Sequence, residues 1–155
     1  MKFILLVLLF LPSVAFAKKH DYRCLAEAVY FESRNQPFEG QLAVAITVLN
    51  RVESEHHPNS ICKVVNYKKR VRRGNRLKLV CAFSYECDGL PEIIRDKKSW
   101  ETSLLVASLI LDNHAYFTRI LKLEKVLFFH ADYIVPWWAK YYIKVTTIGN
   151  HIFYR

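Results

Sequence analysis

After residues 1–17, no stretch of this chain is both long enough and free enough of charge to cross a membrane as a helix, which takes about 20 apolar residues. There is no internal repeat and no low-complexity tract, which excludes repeat arrays and compositionally biased tails. The six histidines never form an H-E-x-x-H spacing, so the helical zinc-hydrolase motif is missing. The four cysteines are separated by 37, 18 and 5 residues and make no paired CxxC knuckles, so a structural zinc site does not fit either. Acids are scarce: 14 Asp and Glu stand against 23 Lys and Arg, leaving a net charge of +9.

What is present begins with a leader pattern. Lys2 is a short positive region, Phe3 to Leu11 an apolar one, and Ala15-Phe16-Ala17 offers small residues at the −3 and −1 positions of a cleavage site. A signal peptide over 1–17 is expected, with 18–155 as a single domain exported to the periplasm or the extracellular space. A basic exported protein meets anionic envelope polymers more readily than nucleic acid, so no nucleic-acid partner is expected. Export also favours two disulfides among Cys24, Cys62, Cys81 and Cys87. Cys81 and Cys87 flank a short loop, whereas Cys24 and Cys62 sit at outer ends of helical patterns, so the expected pairs are 24–62 and 81–87.

The chain is organised around Cys24 to Arg34. As a helix this segment sets Leu25, Ala28, Val29 and Glu32 on one face, so a carboxyl ends an apolar stripe. Water-poor surroundings raise a carboxyl's pKa, and a carboxylic acid still protonated near neutral pH is what a general acid needs. A solvated Glu near a helix end is the plain alternative. Glu27, five residues away, lies roughly 140° round the helix from Glu32 and is a poor second acid. Asp21 is a candidate N-cap for this helix.

Pro37 suits the first position of a second helix, with Glu39 in its first turn. From Leu42 to Val52 apolar residues run nearly all the way round, the pattern of a helix buried inside a domain. Gln41 faces either the core side or solvent near its start. His56 and His57 read as polar-loop residues. Lys68 to Lys78 is strongly basic with no aromatic to stack on bases, and reads as an exposed insertion or as a contact to anionic envelope polymers. In the loop closed by Cys81 and Cys87, Phe83, Ser84 and Tyr85 would be held rigidly, as sugar-binding aromatics and hydroxyls are, or would pack on the core. A third helix is expected over Ser99–Asn113, capped by Ser99, with a stripe of Trp100, Leu104, Ala107 and Leu111. From Val126 the texture is β-like, with strands near 126–129, 141–145 and 151–154. Trp137 and Trp138 are adjacent in a loop, where one packs and the other lines a cleft.

Several of these segments, in order, resemble the SleB-type cell wall hydrolase family. They are Tyr30-Phe31-Glu32-Ser33-Arg34, Glu39 to Ala45, Val48 to Val52, Pro58 to Val65, Cys81 to Gly89, His130 to Trp138 and Ile148 to Tyr154. The resemblance implies an α+β, lysozyme-like fold with a mainly helical core and a small C-terminal β region. It implies action on peptidoglycan, with Glu32 as catalytic acid of a lytic transglycosylase cutting between N-acetylmuramic acid and N-acetylglucosamine. An N-acetylmuramoyl-L-alanine amidase and a non-catalytic peptidoglycan-binding module are the alternatives. Substrate-contact candidates are Gln41, Phe83, Ser84, Tyr85, Asp88, His130, Trp138 and His151, with Asp88 or Glu86 as a possible second acid. No metal or cofactor and a monomeric state are expected. The chain departs from the family pattern at Ser33, Asn35, Gln36, Ala82 and Tyr85.

Overall fold

The computed structural model describes residues 13–155, with side chains described from Lys19 onward and that of Arg73 left out. The leader expected over 1–17 lies mostly outside the described residues. Helices α1 (Ser13–Ser33), α2 (Phe38–Glu53) and α4 (Lys97–Ile120) pack on one another, and the short α3 (Ile61–Val65) joins them. The strands form a separate hairpin, β1 (Lys68–Arg73) with β2 (Arg76–Cys81), and a three-stranded antiparallel sheet. That sheet places β5 (His151–Tyr154) between β3 (Phe128–Ala131) and β4 (Lys144–Ile148). The architecture is α+β with a helical core and a small C-terminal sheet. No helix among the described residues is long and apolar enough to cross a membrane.

Helix α2 is buried round its whole circumference from Gly40 to Val48, as its mostly apolar composition suggests, with Gln41 and Thr47 the polar residues among them. It starts one residue later than expected. Pro37 keeps an extended ψ of 156° and flanks the helix, and its carbonyl accepts the first helical bond from Gln41 N at 3.1 Å. Asp21 does not cap α1, which begins well before it. Its carboxylate instead accepts from Cys62 N at 3.1 Å, near the start of α3. The Cys24–Cys62 disulfide ties the same two helices, with Cα atoms 5.3 Å apart, and Cys81–Cys87 closes the expected short loop.

Helix α4 also differs from its expected form. Asp96, not Ser99, is the N-cap: its carboxylate accepts from Ser99 N at 3.1 Å and from Ser99 Oγ at 2.6 Å. The helix then passes through a kink at Asn113 and continues to Ile120. Its buried face carries Ser103, Val106, Ala107 and Ile110, while Leu105 and Leu111 are exposed. A face offset from the expected stripe therefore meets α1 and α2.

Asn50 ties the helical core to the turn that leads into the sheet. Asn50 on α2 donates through Nδ2 to Leu123 O and Val126 O, both at 2.9 Å, and its Oδ1 meets His114 Nε2 at 3.0 Å. These bonds hold the turn in which Lys122 and Lys125 adopt positive φ of 55° and 60° before β3. Removing Asn50 strands two carbonyls in a dry core, at a cost of about 2–3 kcal/mol. Asn50→Ala is accordingly expected to lower the urea midpoint with an unchanged m-value.

Candidate active site

Glu32 stands one residue before the end of α1, and its carboxyl opens into a cleft of about 800 Å³. Burial raises its pKa from 4.5 to about 7. Three smaller influences oppose that rise: the Ser84 backbone N–H, the Arg51 guanidinium and the Ser84 hydroxyl. Burial thus leaves a large share of Glu32 protonated near pH 7, while two groups stand ready to receive the carboxylate once the proton has gone.

Arg51 is set by α2, whose burial leaves its long side chain pointing into the cleft. Its Nε donates to Leu127 O at 2.7 Å, and the guanidinium carbon lies 5.2 Å from the centre of the Phe83 ring. Burial lowers its pKa to about 10, and Glu32 counters that fall, so it remains a cation at neutral pH. Ser84 begins a 3-10 turn, Ser84–Cys87, that the Cys81–Cys87 disulfide closes. In that tight turn Ser84 points to the cleft and Tyr85 points inward, stacking on Phe31 at 4.9 Å.

The cleft brings together five of the eight expected contact residues: Phe83, Ser84, His130, Trp138 and His151. His130 has both ring nitrogens engaged, with Ala131 O at 2.9 Å and Tyr154 Oη at 2.9 Å, and Trp138 meets its edge. It is held as a wall. His151 is buried beside Phe129, its pKa is lowered by burial, and its Nδ1 has no partner among the described residues.

Gln41, Tyr85 and Asp88 do not line the cleft. Gln41 is buried and donates to Gln36 O at 3.1 Å. Tyr85 lies behind the wall, where burial pushes its phenol far above the ordinary range. Asp88 is exposed and accepts from Leu90 N at 2.8 Å in its own turn. Glu86 pairs with Lys68 at 2.8 Å, and Glu27 with Arg23 at 2.8 Å. Among the described lining residues Glu32 is the only carboxyl.

Sequence reasoning missed Arg51, His57, Phe128, Phe129, Tyr133, Trp137 and Tyr142 as lining residues. The usable signal was Arg51 itself, a charge inside a helix apolar on every side. His56 and His57 are loop residues as expected, yet both border the cleft. Burial and then Arg51 lower the His57 pKa.

A sequence profile of the family described as "Cell Wall Hydrolase" matches residues 35–154. The chain belongs to the cell wall hydrolase family. The matched span opens just after Glu32, and the structural likenesses extend further. The catalytic domain of the Bacillus cereus SleB protein superposes with a TM-score of 0.57 at 25% identity, covering 88% of this chain and 91% of that one. The catalytic domain of the germination-specific lytic transglycosylase SleB from Bacillus anthracis gives a TM-score of 0.58 at 25% identity, covering 88% and 95%. The fold is thus the lysozyme-like α+β one of those domains. In sequence, the spore cortex-lytic enzyme of Bacillus subtilis is 50% identical over 46 residues, 30% of this chain and 15% of that protein. The spore cortex-lytic enzyme of Bacillus cereus is 47% identical over 47 residues, 30% of this chain and 18% of that protein. The chain therefore matches less than a fifth of the length of either enzyme.

Proposed function

We propose that this chain cleaves the glycan backbone of peptidoglycan as a lytic transglycosylase, with Glu32 as its single acid and base. The observation carrying this reading is that Glu32, its pKa raised to about 7, is the only carboxyl among the described residues lining an open cleft. Hydrolysis of a glycosidic bond generally uses two carboxyls about 5–9.5 Å apart. An intramolecular attack needs only one.

Glu32 gives its proton to the glycosidic oxygen as the C1–O bond of the muramic acid residue breaks. Positive charge builds on that sugar ring, and the new Glu32 carboxylate receives Arg51 and the Ser84 donors. The 6-hydroxyl oxygen of the same sugar then bonds to C1, and Glu32 takes back the hydroxyl proton. The products are a 1,6-anhydro end and a free 4-hydroxyl on the departing sugar. No water is consumed. Aromatic side chains such as Trp138 and Tyr142 supply faces for sugar rings to stack on. Disulfides suit an oxidising compartment, in keeping with export before the enzyme meets its substrate.

Mass spectrometry of the fragments released from purified peptidoglycan tests this reading. Anhydro ends are expected. Reducing muramic ends would make the enzyme a muramidase, and free stem peptides would make it an amidase.

The raised pKa of Glu32 also predicts a stability effect. With a folded value of about 7 against 4.5, the proton is held more tightly in the fold than in the unfolded chain. The stabilisation is full below pH 4.5 and is lost as pH rises through about 7. Its size is on the order of 3 kcal/mol. Glu32→Gln carries no such charge, so its stability relative to the parent protein should rise from pH 4 to pH 8 in urea titrations. An offset that does not change with pH would contradict the burial of the charge.

A further inference from the structure

The basic stretch is a built element that forms part of the cleft wall. In the β1–β2 register Lys69 faces Val80, Val71 faces Lys78, and Arg73 faces Arg76 across a two-residue turn. Directly opposed residues share a face of an antiparallel pair, and every second residue returns to it. Lys69, Val71 and Val80 line the cleft, so that inner face also carries Lys78 and Arg76. Lys68, Arg70, Arg72, Leu77 and Leu79 belong to the other face. There Lys68 pairs with Glu86 at 2.8 Å and pins the hairpin base to the disulfide-closed loop.

Lys69, Arg76 and Lys78 take part in none of the ion pairs among the described residues. From Lys69 to the level of Arg76 is four residue steps, about 13 Å at the rise of a strand. The described lining residues include Arg51 and Lys69 as cations and only Glu32 as an acid. A neutral sugar chain does not call for this charge. An acidic peptide branching from it does, and an extended peptide of about four residues spans the same length.

We infer that the inner face of the β1–β2 hairpin binds the carboxylates of the peptide stems attached to the glycan, so that the enzyme selects stem-bearing strands over bare ones. This rests on the peptidoglycan reading above and adds a recognition site to it.

The test compares two substrates, soluble peptidoglycan fragments with intact stems and the same fragments stripped of stems by an amidase. That stripping leaves one carboxylate on each muramic acid, close to the sugar ring and short of the hairpin's span. It follows the ratio of kcat/KM for their cleavage. The parent protein should favour stem-bearing fragments roughly fivefold or more, the yield of two partly exposed ion pairs. Lys69→Gln with Lys78→Gln should bring the ratio close to one. Arg70→Gln with Arg72→Gln, the same charge change on the outer face, should keep the parent ratio. Stems with amidated carboxylates should behave as if stripped.

An unchanged ratio in the inner-face variant would overturn the inference. So would equal loss in both variants, which would mean general charge attraction, as would a preference for phosphate polymers over stems. Binding of the two fragments to the Glu32→Gln protein needs no turnover and separates the two readings. Tighter binding of stem-bearing fragments without any cleavage by the parent enzyme would sink the catalytic proposal and keep this one. Equal binding sinks this one alone.

Discussion

Replacing Glu32 by Gln should lower the rate of glycan cleavage by about 10³-fold, the middle of the range for losing a positioned general acid. The substitution changes little else. Gln keeps the side-chain length, and its carbonyl oxygen still accepts from the Ser84 donors that approach the carboxyl. What it lacks is a proton to give and a charge to take one back, so both halves of the proposed reaction fail together. The loss should appear in kcat with little change in KM, because ground-state sugar binding falls to the aromatic walls. Glu32→Asp retains the acid but withdraws it by one methylene, and should recover only part of the rate. Cleavage undiminished in Glu32→Gln would remove Glu32 from the chemistry.

The second large effect concerns the Cys24–Cys62 disulfide. The bond spans 38 residues, and the loop-entropy relation for that length gives about 4 kcal/mol. Helix α3 has 5 residues, too few to persist without tertiary support. It is held by this bond, by the Asp21 bond to Cys62 N and by the burial of Ile61, Val64 and Val65 in the core. The polar loop that brings His56 and His57 to the cleft runs directly into α3. Cys24→Ala with Cys62→Ala should therefore lose about 4 kcal/mol in denaturant titrations, and lose activity at temperatures the parent tolerates. Breaking Cys81–Cys87, which spans 6 residues, should cost about half as much by the same relation. A loss below about 1 kcal/mol for the first pair would mean that packing alone fixes α3.

The helical core was legible because burial writes itself into periodicity. Helix α2, apolar on nearly every side, read as a helix lying inside. The stripe ending in Glu32 fitted a solvated carboxyl as well as a buried one, and the burial of that carboxyl is what the structure adds. The pairing of the cysteines followed from loop length and helix ends, and the structure has that pairing. The hairpin was not legible as strands. Much of its surface is solvent-exposed, so its sequence lacks the apolar and polar alternation that marks a half-buried strand. The signal available was Gly74-Asn75, a short turn with Gly74 at a φ of 57°. The C-cap of α4 was hidden for another reason: the helix continues through the kink at Asn113, where the pattern changes phase.

Within the site, the stapled loop was expected to present three residues, yet Tyr85 turns inward. A 3-10 turn rotates successive side chains by about 120°, so Ser84 and Tyr85 cannot share a face. Asp88 lies beyond that turn and faces solvent. The walls made by Phe128, Tyr133 and Tyr142 come from segments far from Glu32 in the chain, and only the sheet order joins them to it. The Gln36 side chain, a departure from the family pattern, accepts from Asn150 N at 2.8 Å and helps to seat the β4–β5 turn.

The central claim is that the fold lifts the pKa of Glu32 from the ordinary carboxyl range to about 7. Carbon-13 NMR titration of its side-chain carboxyl, assigned by the resonance lost in Glu32→Gln, measures this directly. A midpoint of about 7 is expected. A midpoint near the ordinary 4.5 would leave a solvated carboxylate in the cleft and contradict the account.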